Sequence, residues 1–183
     1  GRTLWAVVKA NAYGHGLLRA ARAFEAADGL AMIDLCDAQK VREQGWKKRI
    51  LLLEGFFDAT DIPLLEKYDI ETIVHNRHMI ELLKAQAPYA SLKVHIKINS
   101  GMNRLGFLPQ EEEEIRAQLQ TIEGVQVMGV VTHFANAEPT YGHERPATVS
   151  IQLNRMDKIQ PMPKNLCMAN SAATLWQSDV KGD

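Results

Sequence analysis

Short apolar runs rich in β-branched residues alternate along the chain with stretches whose apolar positions recur every three to four residues. The runs 4–8, 30–35, 49–53, 72–74, 93–98, 127–134 and 166–168 predict strands. Their nearly continuous apolar character, rather than strict alternation, is what a strand covered on both faces requires. Helices are predicted between them. The segment 17–27 carries Leu17, Ala20, Ala21 and Phe24 on one face and stops at Gly29. The segment 37–44 opens on Asp37 as N-cap and closes on Gly45. Further helices are expected over 61–67, over 77–87 between Asn76 and Pro88, over 111–121 after Pro109, and over 148–159 before Pro161. Four glutamates, Glu111 to Glu114, open the fifth of these. Carboxylates favour the positive end of a helix, so a solvated, dipole-stabilised first turn is expected there rather than a cation site.

Seven βα repeats with doubly buried strands imply an α/β protein built on a parallel sheet. An open doubly wound sheet is one arrangement, yet no Gly-x-Gly-x-x-Gly turn follows the first strand; Gly14-His15-Gly16 is a fragment of that pattern. A closed (β/α)₈ barrel is the other, and it needs one strand more than the seven counted. With no internal repeat and no low-complexity linker, residues 1–183 read as one incomplete domain.

Composition narrows the function. The chain has 183 residues, 46% of them hydrophobic, with 21 basic against 22 acidic side chains. That is enough for one core, and a net charge of −1 without a basic stripe argues against nucleic acid or an anionic membrane as partner. No apolar run approaches the ~20 residues that span a bilayer, and no signal peptide is visible. Cys36 and Cys167 lie far apart in apolar runs, which predicts buried free thiols in a reducing cytoplasm. The chain begins at Gly1 with a strand almost at once, as expected of a piece of a longer protein.

The chemistry concentrates where strands end. The first strand delivers Lys9 to its C-terminal end, followed by Ala10-Asn11-Ala12-Tyr13-Gly14-His15-Gly16. A lysine there either snorkels to water or is used as a nucleophilic amine, because burying an unpaired ammonium is costly. The fifth strand runs into Lys97-Ile98-Asn99-Ser100-Gly101-Met102-Asn103-Arg104-Leu105-Gly106, the sixth closes on Thr132-His133-Phe134, and the seventh on Ala169-Asn170-Ser171-Ala172. In a barrel these ends form one rim, and such a set suits an anionic, carbonyl-bearing cofactor. His15, His75, His78, His95 and His143 show no metal-ligand spacing and read as structural or surface residues.

The run from Ala6 to Gly16 resembles the pyridoxal-phosphate attachment segment of the alanine racemases, barrel-type (fold-type III) enzymes. The stretch from Lys97 to Gly106 resembles their second signature, Lys-x-x-x-Gly-Met-x-Arg-x-Gly, and the segments around His133 and Asn170-Ser171 are similar to two more. The resemblance implies a (β/α)₈ barrel whose last strand, and a C-terminal β-domain, would follow Asp183. It implies that Lys9 bonds to the cofactor and serves the D-alanine face of the substrate. Tyr13 and Ser171 would hold the cofactor phosphate, with Asn170 beside them, and Arg104 would contact the phenolic oxygen and the substrate carboxylate. Lys97 would carry the carbamate that braces the arginine in many members, and His133 would support the catalytic tyrosine of a second subunit. Some relatives have a histidine where this chain has Cys167, which removes one supporting hydrogen bond.

By the same resemblance the protein is an isomerase interconverting L-alanine and D-alanine, cytoplasmic and homodimeric, supplying D-alanine for the cell wall or serving alanine catabolism. A racemase of serine, lysine or arginine and a non-catalytic pyridoxal-phosphate barrel protein are the alternatives. The latter has a shorter lysine segment, without Tyr-Gly-His-Gly. Tyr68, Tyr89 and Tyr141 carry no motif for the second catalytic base. That base, and the arginine facing the pyridine nitrogen, are therefore expected outside this chain, and the piece alone is expected to be inactive.

Overall fold

The structure, a computed structural model, describes residues 3–138, 146–163, 165–177 and 180. Its strands are β1 (Trp5–Val7), β2 (Gly29–Met32), β3 (Arg49–Leu52), β4 (Glu71–Val74), β5 (Leu92–Lys97), β6 (Val125–Val131) and β7 (Leu166–Cys167). They form one sheet in chain order, every neighbouring pair parallel. A doubly wound sheet reverses its strand order at a switch point, so the sequential order excludes it. The sheet is also rolled. The rings of Trp5 on β1 and His95 on β5 lie 6.4 Å apart, whereas four strand spacings of a flat sheet would separate them by about 19 Å. Seven strands of a (β/α) barrel, with β1 and β7 at the edges, are the result.

The helices are α1 (Lys9–Tyr13), α2 (Leu17–Ala23), α3 (Leu35–Glu43), α4 (Ile62–Lys67), α5 (Arg77–Gln86), α6 (Glu112–Gln120), α7 (Ala147–Met156) and α8 (Ser171–Trp176). Leu30, Ile50, Leu52, Val74, Val94 and Ile96 form the main core with helix residues such as Val41, Leu65, Ile80 and Leu119. Ala31, Leu51 and Ile73 form a separate inner cluster with Trp5. Alternation along each strand thus sorts side chains between the barrel lumen and the helix layer.

Several elements depart from the sequence pattern. The second strand ends at Met32, and Asp34, not Asp37, caps the following helix by accepting from the Cys36 N–H at 2.8 Å. Cys36 is consequently exposed in the first turn of α3, not buried in a strand; Cys167 is partly buried, and both thiols are free. Helix α2 stops at Ala23, short of the expected end. The left-handed α1 and the short α8 were not expected at all, since neither has a repeating apolar face. Nor is the glutamate run merely solvated. Glu111 and Glu114 clamp Arg77 at 3.0 and 2.7 Å, and buried Glu112 pairs with Arg116. No helix among the described residues is long and apolar enough to cross a membrane.

Candidate active site

Strand register determines which side chains meet at the C-terminal rim. Lys97 is level with Val131 on β6, and Val131 is level with Cys167 on β7. Val94, Ile96 and Ile98 belong to the helix-facing core, so Lys97 takes the opposite, lumenal face. His75 follows Val74, the partner of Ile96, just beyond the end of β4. His133 stands two residues beyond Val131, and Lys9 two beyond Val7, at the ends of their strands.

The charges of these groups act on one another. Burial, then the nearby charges of Lys97, Arg104 and Lys9, pushes His133 down to about 4. Burial lowers Lys97 to about 8, with Arg104 adding to the effect against an opposing contribution from Cys167. Burial and Lys97 also lower His75, although Glu54 opposes them. Lys9, Lys97 and Arg104 make no ion pair among the described residues. Three cations without an ion pair among the described residues thus act on an imidazole held neutral at pH 7.

Local backbone supports the two most exposed members of this group. After Lys9 the chain makes a left-handed turn: Ala10, Asn11, Ala12 and Tyr13 have φ of 51°, 54°, 54° and 53°. Each non-glycine residue in that region costs on the order of 1 kcal/mol, and such strain gathers at functional sites. The turn is held by the Ala12 N–H to the Val8 carbonyl at 3.0 Å, and by Asn11 Oδ1, which accepts from the Leu17 N–H at 2.8 Å. Tyr13 is left 60% exposed, so its ring is free to meet a ligand. Arg104 rides a loop closed at its base by the Phe107 N–H to the Lys97 carbonyl, 2.9 Å, and the Asn99 N–H to the Phe107 carbonyl, 2.7 Å. Asn99 Oδ1 accepts from the Gly101 and Asn103 N–H groups at 3.1 and 3.0 Å. Gly106 has φ +116°, and a Cβ there would lie 2.7 Å from the Asn99 nitrogen and 2.8 Å from the Lys97 oxygen. Arg104 opens on a cleft of about 420 Å³ that His75, Asn76, Asn99 and Asn103 also line.

The chain matches, over residues 1–183, the family described as alanine racemase, N-terminal domain. It belongs to that family. The alanine racemase of Janthinobacterium sp. (strain Marseille) is 46% identical over 180 residues, 98% of this chain and 50% of the relative. The catabolic alanine racemase of Klebsiella aerogenes is 43% identical over 183 residues, again half of its own length. The crystal structure of the biosynthetic alanine racemase of Pseudomonas aeruginosa superposes with a TM-score of 0.87 at 34% identity, covering 96% of this chain and 48% of that one. The chain thus spans about half the length of the alanine racemases it matches.

Lys9, Lys97, Arg104 and His133 all stand at the C-terminal rim, where the charges of the three cations act on His133. Asn170 and Ser171 stand at the start of α8, where Asn170 Oδ1 caps the helix by accepting from the Ala173 N–H at 2.9 Å; the Ser171 side chain is exposed. His75, which the sequence left as structural or surface, lines the cleft with Arg104. His143 and Tyr141 lie outside the described residues. Sequence reasoning also missed Gln152 on α7, which is buried at 2% exposure and hydrogen-bonded beneath the rim. Its signal was present, since it takes the place of a hydrophobe between Val149 and Met156 on the buried face.

Proposed function

We propose that the chain is the barrel half of a pyridoxal-phosphate-dependent alanine racemase that interconverts L-alanine and D-alanine. The observation that carries this reading is the placing of Lys9, Lys97 and Arg104 at one rim with His133, whose titration their charges lower, with no carboxylate partner for these cations among the described residues. A cofactor with a phosphate and a phenolic oxygen, and a substrate with a carboxylate, supply the missing negative charge. Tyr13, Asn170 and Ser171 would hold the phosphate end and Arg104 the phenolic oxygen. Bound there, the cofactor supplies an electron sink that acidifies the Cα–H of an amino acid joined to it.

The chain's own residues do the rest. The Lys9 amine would anchor the cofactor and would remove or return a proton at the substrate Cα on the D-alanine face. Arg104 orients the substrate carboxylate with its two-pronged guanidinium. His133, neutral, accepts or donates a hydrogen bond without adding charge to a crowded cationic site. Lys97, lowered to about 8, has a larger neutral fraction near physiological pH than an ordinary lysine and can react with CO₂. The carbamate so formed, with release of one proton, would place an anion where Arg104 now meets a cation. Racemisation needs a second base on the opposite face, which we place in a further domain of a partner subunit, as in a cytoplasmic homodimer. Residues 1–183 alone are therefore expected to yield no D-alanine above a cofactor-only control.

Arg104→Lys tests the assignment in the enzyme that contains this chain. An ammonium cannot reproduce two parallel hydrogen bonds, and losing one charge-assisted bond at about 1.5–3 kcal/mol lowers kcat/KM for alanine at least tenfold. An unchanged kcat/KM removes Arg104 from the site. Absence of D-alanine formation by the intact, cofactor-loaded protein overturns the racemase reading itself.

A further inference from the structure

The Gln152 carboxamide uses all its hydrogen-bonding groups in one place. Its Nε2 donates to Ser100 Oγ at 2.8 Å and to the His133 carbonyl at 2.9 Å, and its Oε1 accepts from the Ala135 N–H at 2.9 Å. Ser100 Oγ lies 2.7 Å from Thr132 Oγ1, which donates to the Ile98 carbonyl at 2.9 Å. The direction of the chain follows. Thr132 has given its proton to Ile98, so the Ser100 hydroxyl must donate to Thr132 while accepting from Gln152. One turn later on α7, Arg155 Nη1 donates to the Ser100 carbonyl at 3.1 Å. Gly101 admits that guanidinium, since a Cβ there would stand 2.5 Å from Arg155 Nη1.

These contacts join two separate pieces of the rim. Ser100 and Gly101 begin the loop that carries Arg104, while His133 and Ala135 continue β6. We propose that Gln152, assisted by Arg155, is a positioning residue that locks the Arg104 loop to the His133 strand end in one geometry. The proposal rests on the racemase reading for its catalytic consequence but not for its structural one. A misplacement of about 1 Å in such a site lowers rates by roughly 10². Gln152 is nearly fully buried and cannot reach substrate itself.

The test uses the enzyme containing this chain, with Gln152→Leu, which removes both donors, and Gln152→Glu, which is isosteric but cannot donate when ionised. His133 is titrated by NMR in the cofactor-free protein, and alanine kinetics are measured with cofactor bound. Wild-type His133 is held near 4 by its burial among Lys97, Arg104 and Lys9. In Gln152→Leu, which adds no charge, the strand end loosens and the imidazole is expected to titrate at least one pH unit higher, while kcat/KM falls at least tenfold in both variants. The Gln152→Glu deficit is expected to shrink on acidification as a protonated carboxyl recovers one donor. An unmoved His133 titration overturns the proposal, whether or not activity falls. Should neither variant fold, Ser100→Ala, which deletes one hydroxyl from the same chain, is read by the same criterion. If wild type lacks racemase activity, the racemase reading fails while the His133 titration still decides the clamp.

Discussion

Lys9→Ala is expected to abolish alanine racemisation and, after borohydride reduction, to leave no phosphopyridoxyl group on the polypeptide. On the proposed reading Lys9 combines two duties: a primary amine that bonds the cofactor carbonyl and a base at the substrate Cα. Loss of a positioned base alone costs on the order of 10²–10⁴ in rate. Loss of the anchoring nucleophile adds to that. Lys9→Arg separates charge from chemistry: it keeps a cation at the end of β1 but has no neutral amine to offer, so its loss should be as deep. Lys97 is the informative control because it is the other lysine at the rim, and burial lowers it to about 8. Reduction and peptide mapping of the wild type should label Lys9, and a label on Lys97 would overturn the assignment. Unchanged thermal melting of Lys9→Ala would show that the loss is chemical.

The barrel was legible because its information is local. Each strand is an apolar run flanked by helix punctuation, and Asn76 caps α5 as its position suggests, accepting from the Met79 N–H at 2.9 Å. The rim residues were legible for a related reason, since strand ends in a barrel share one face whatever the sequence separation. What could not be seen is what depends on partners far along the chain. Asp34 displaced Asp37 as a cap because the strand before it is shorter than its apolar run, and that length is fixed by pairing with β1 and β3. The left-handed turn after Lys9 runs through Ala10, Ala12 and Tyr13, which carry no signal for it, and only Asn11 favours that region; the turn is held by Val8 below and α2 beyond. Gln152 reads as an interruption of an amphipathic helix until Ser100, 52 positions earlier, is found beside it.

The second large effect is expected at the opposite end of the barrel. Glu71→Gln should destabilise the protein by about 3 kcal/mol at neutral pH, the lower end of the range for breaking a buried ion pair. Arg49 holds both Glu71 oxygens, through Nε at 2.6 Å and Nη2 at 2.7 Å, and His95 Nε2 lies 2.7 Å from Oε2. Trp5 stacks under the guanidinium at 4.6 Å, so one cluster ties β1, β3, β4 and β5 across the lumen. Glutamine keeps the shape and one acceptor but not the charge, and half-exposed Arg49 rehydrates in part, which moderates the loss. Burial alone would raise the Glu71 carboxyl; its bonds to Arg49 and His95 overcome that and hold it at about 2. A group depressed below its ordinary 4.5 contributes stability that is complete above that value and is lost as pH falls toward 2. The gap between wild type and Glu71→Gln, measured by denaturant unfolding, should therefore be constant above pH 5 and narrow steadily on acidification. A gap that does not narrow would show that the loss comes from packing instead of the ion pair. Because Trp5, Arg49 and Glu71 open their strands while Lys9, Lys97 and His133 close or follow theirs, the same variant should leave KM for alanine nearly unchanged. On the proposed reading, stability is set at the floor of this barrel and chemistry at its rim, a division the fold permits because one lumen separates the two layers.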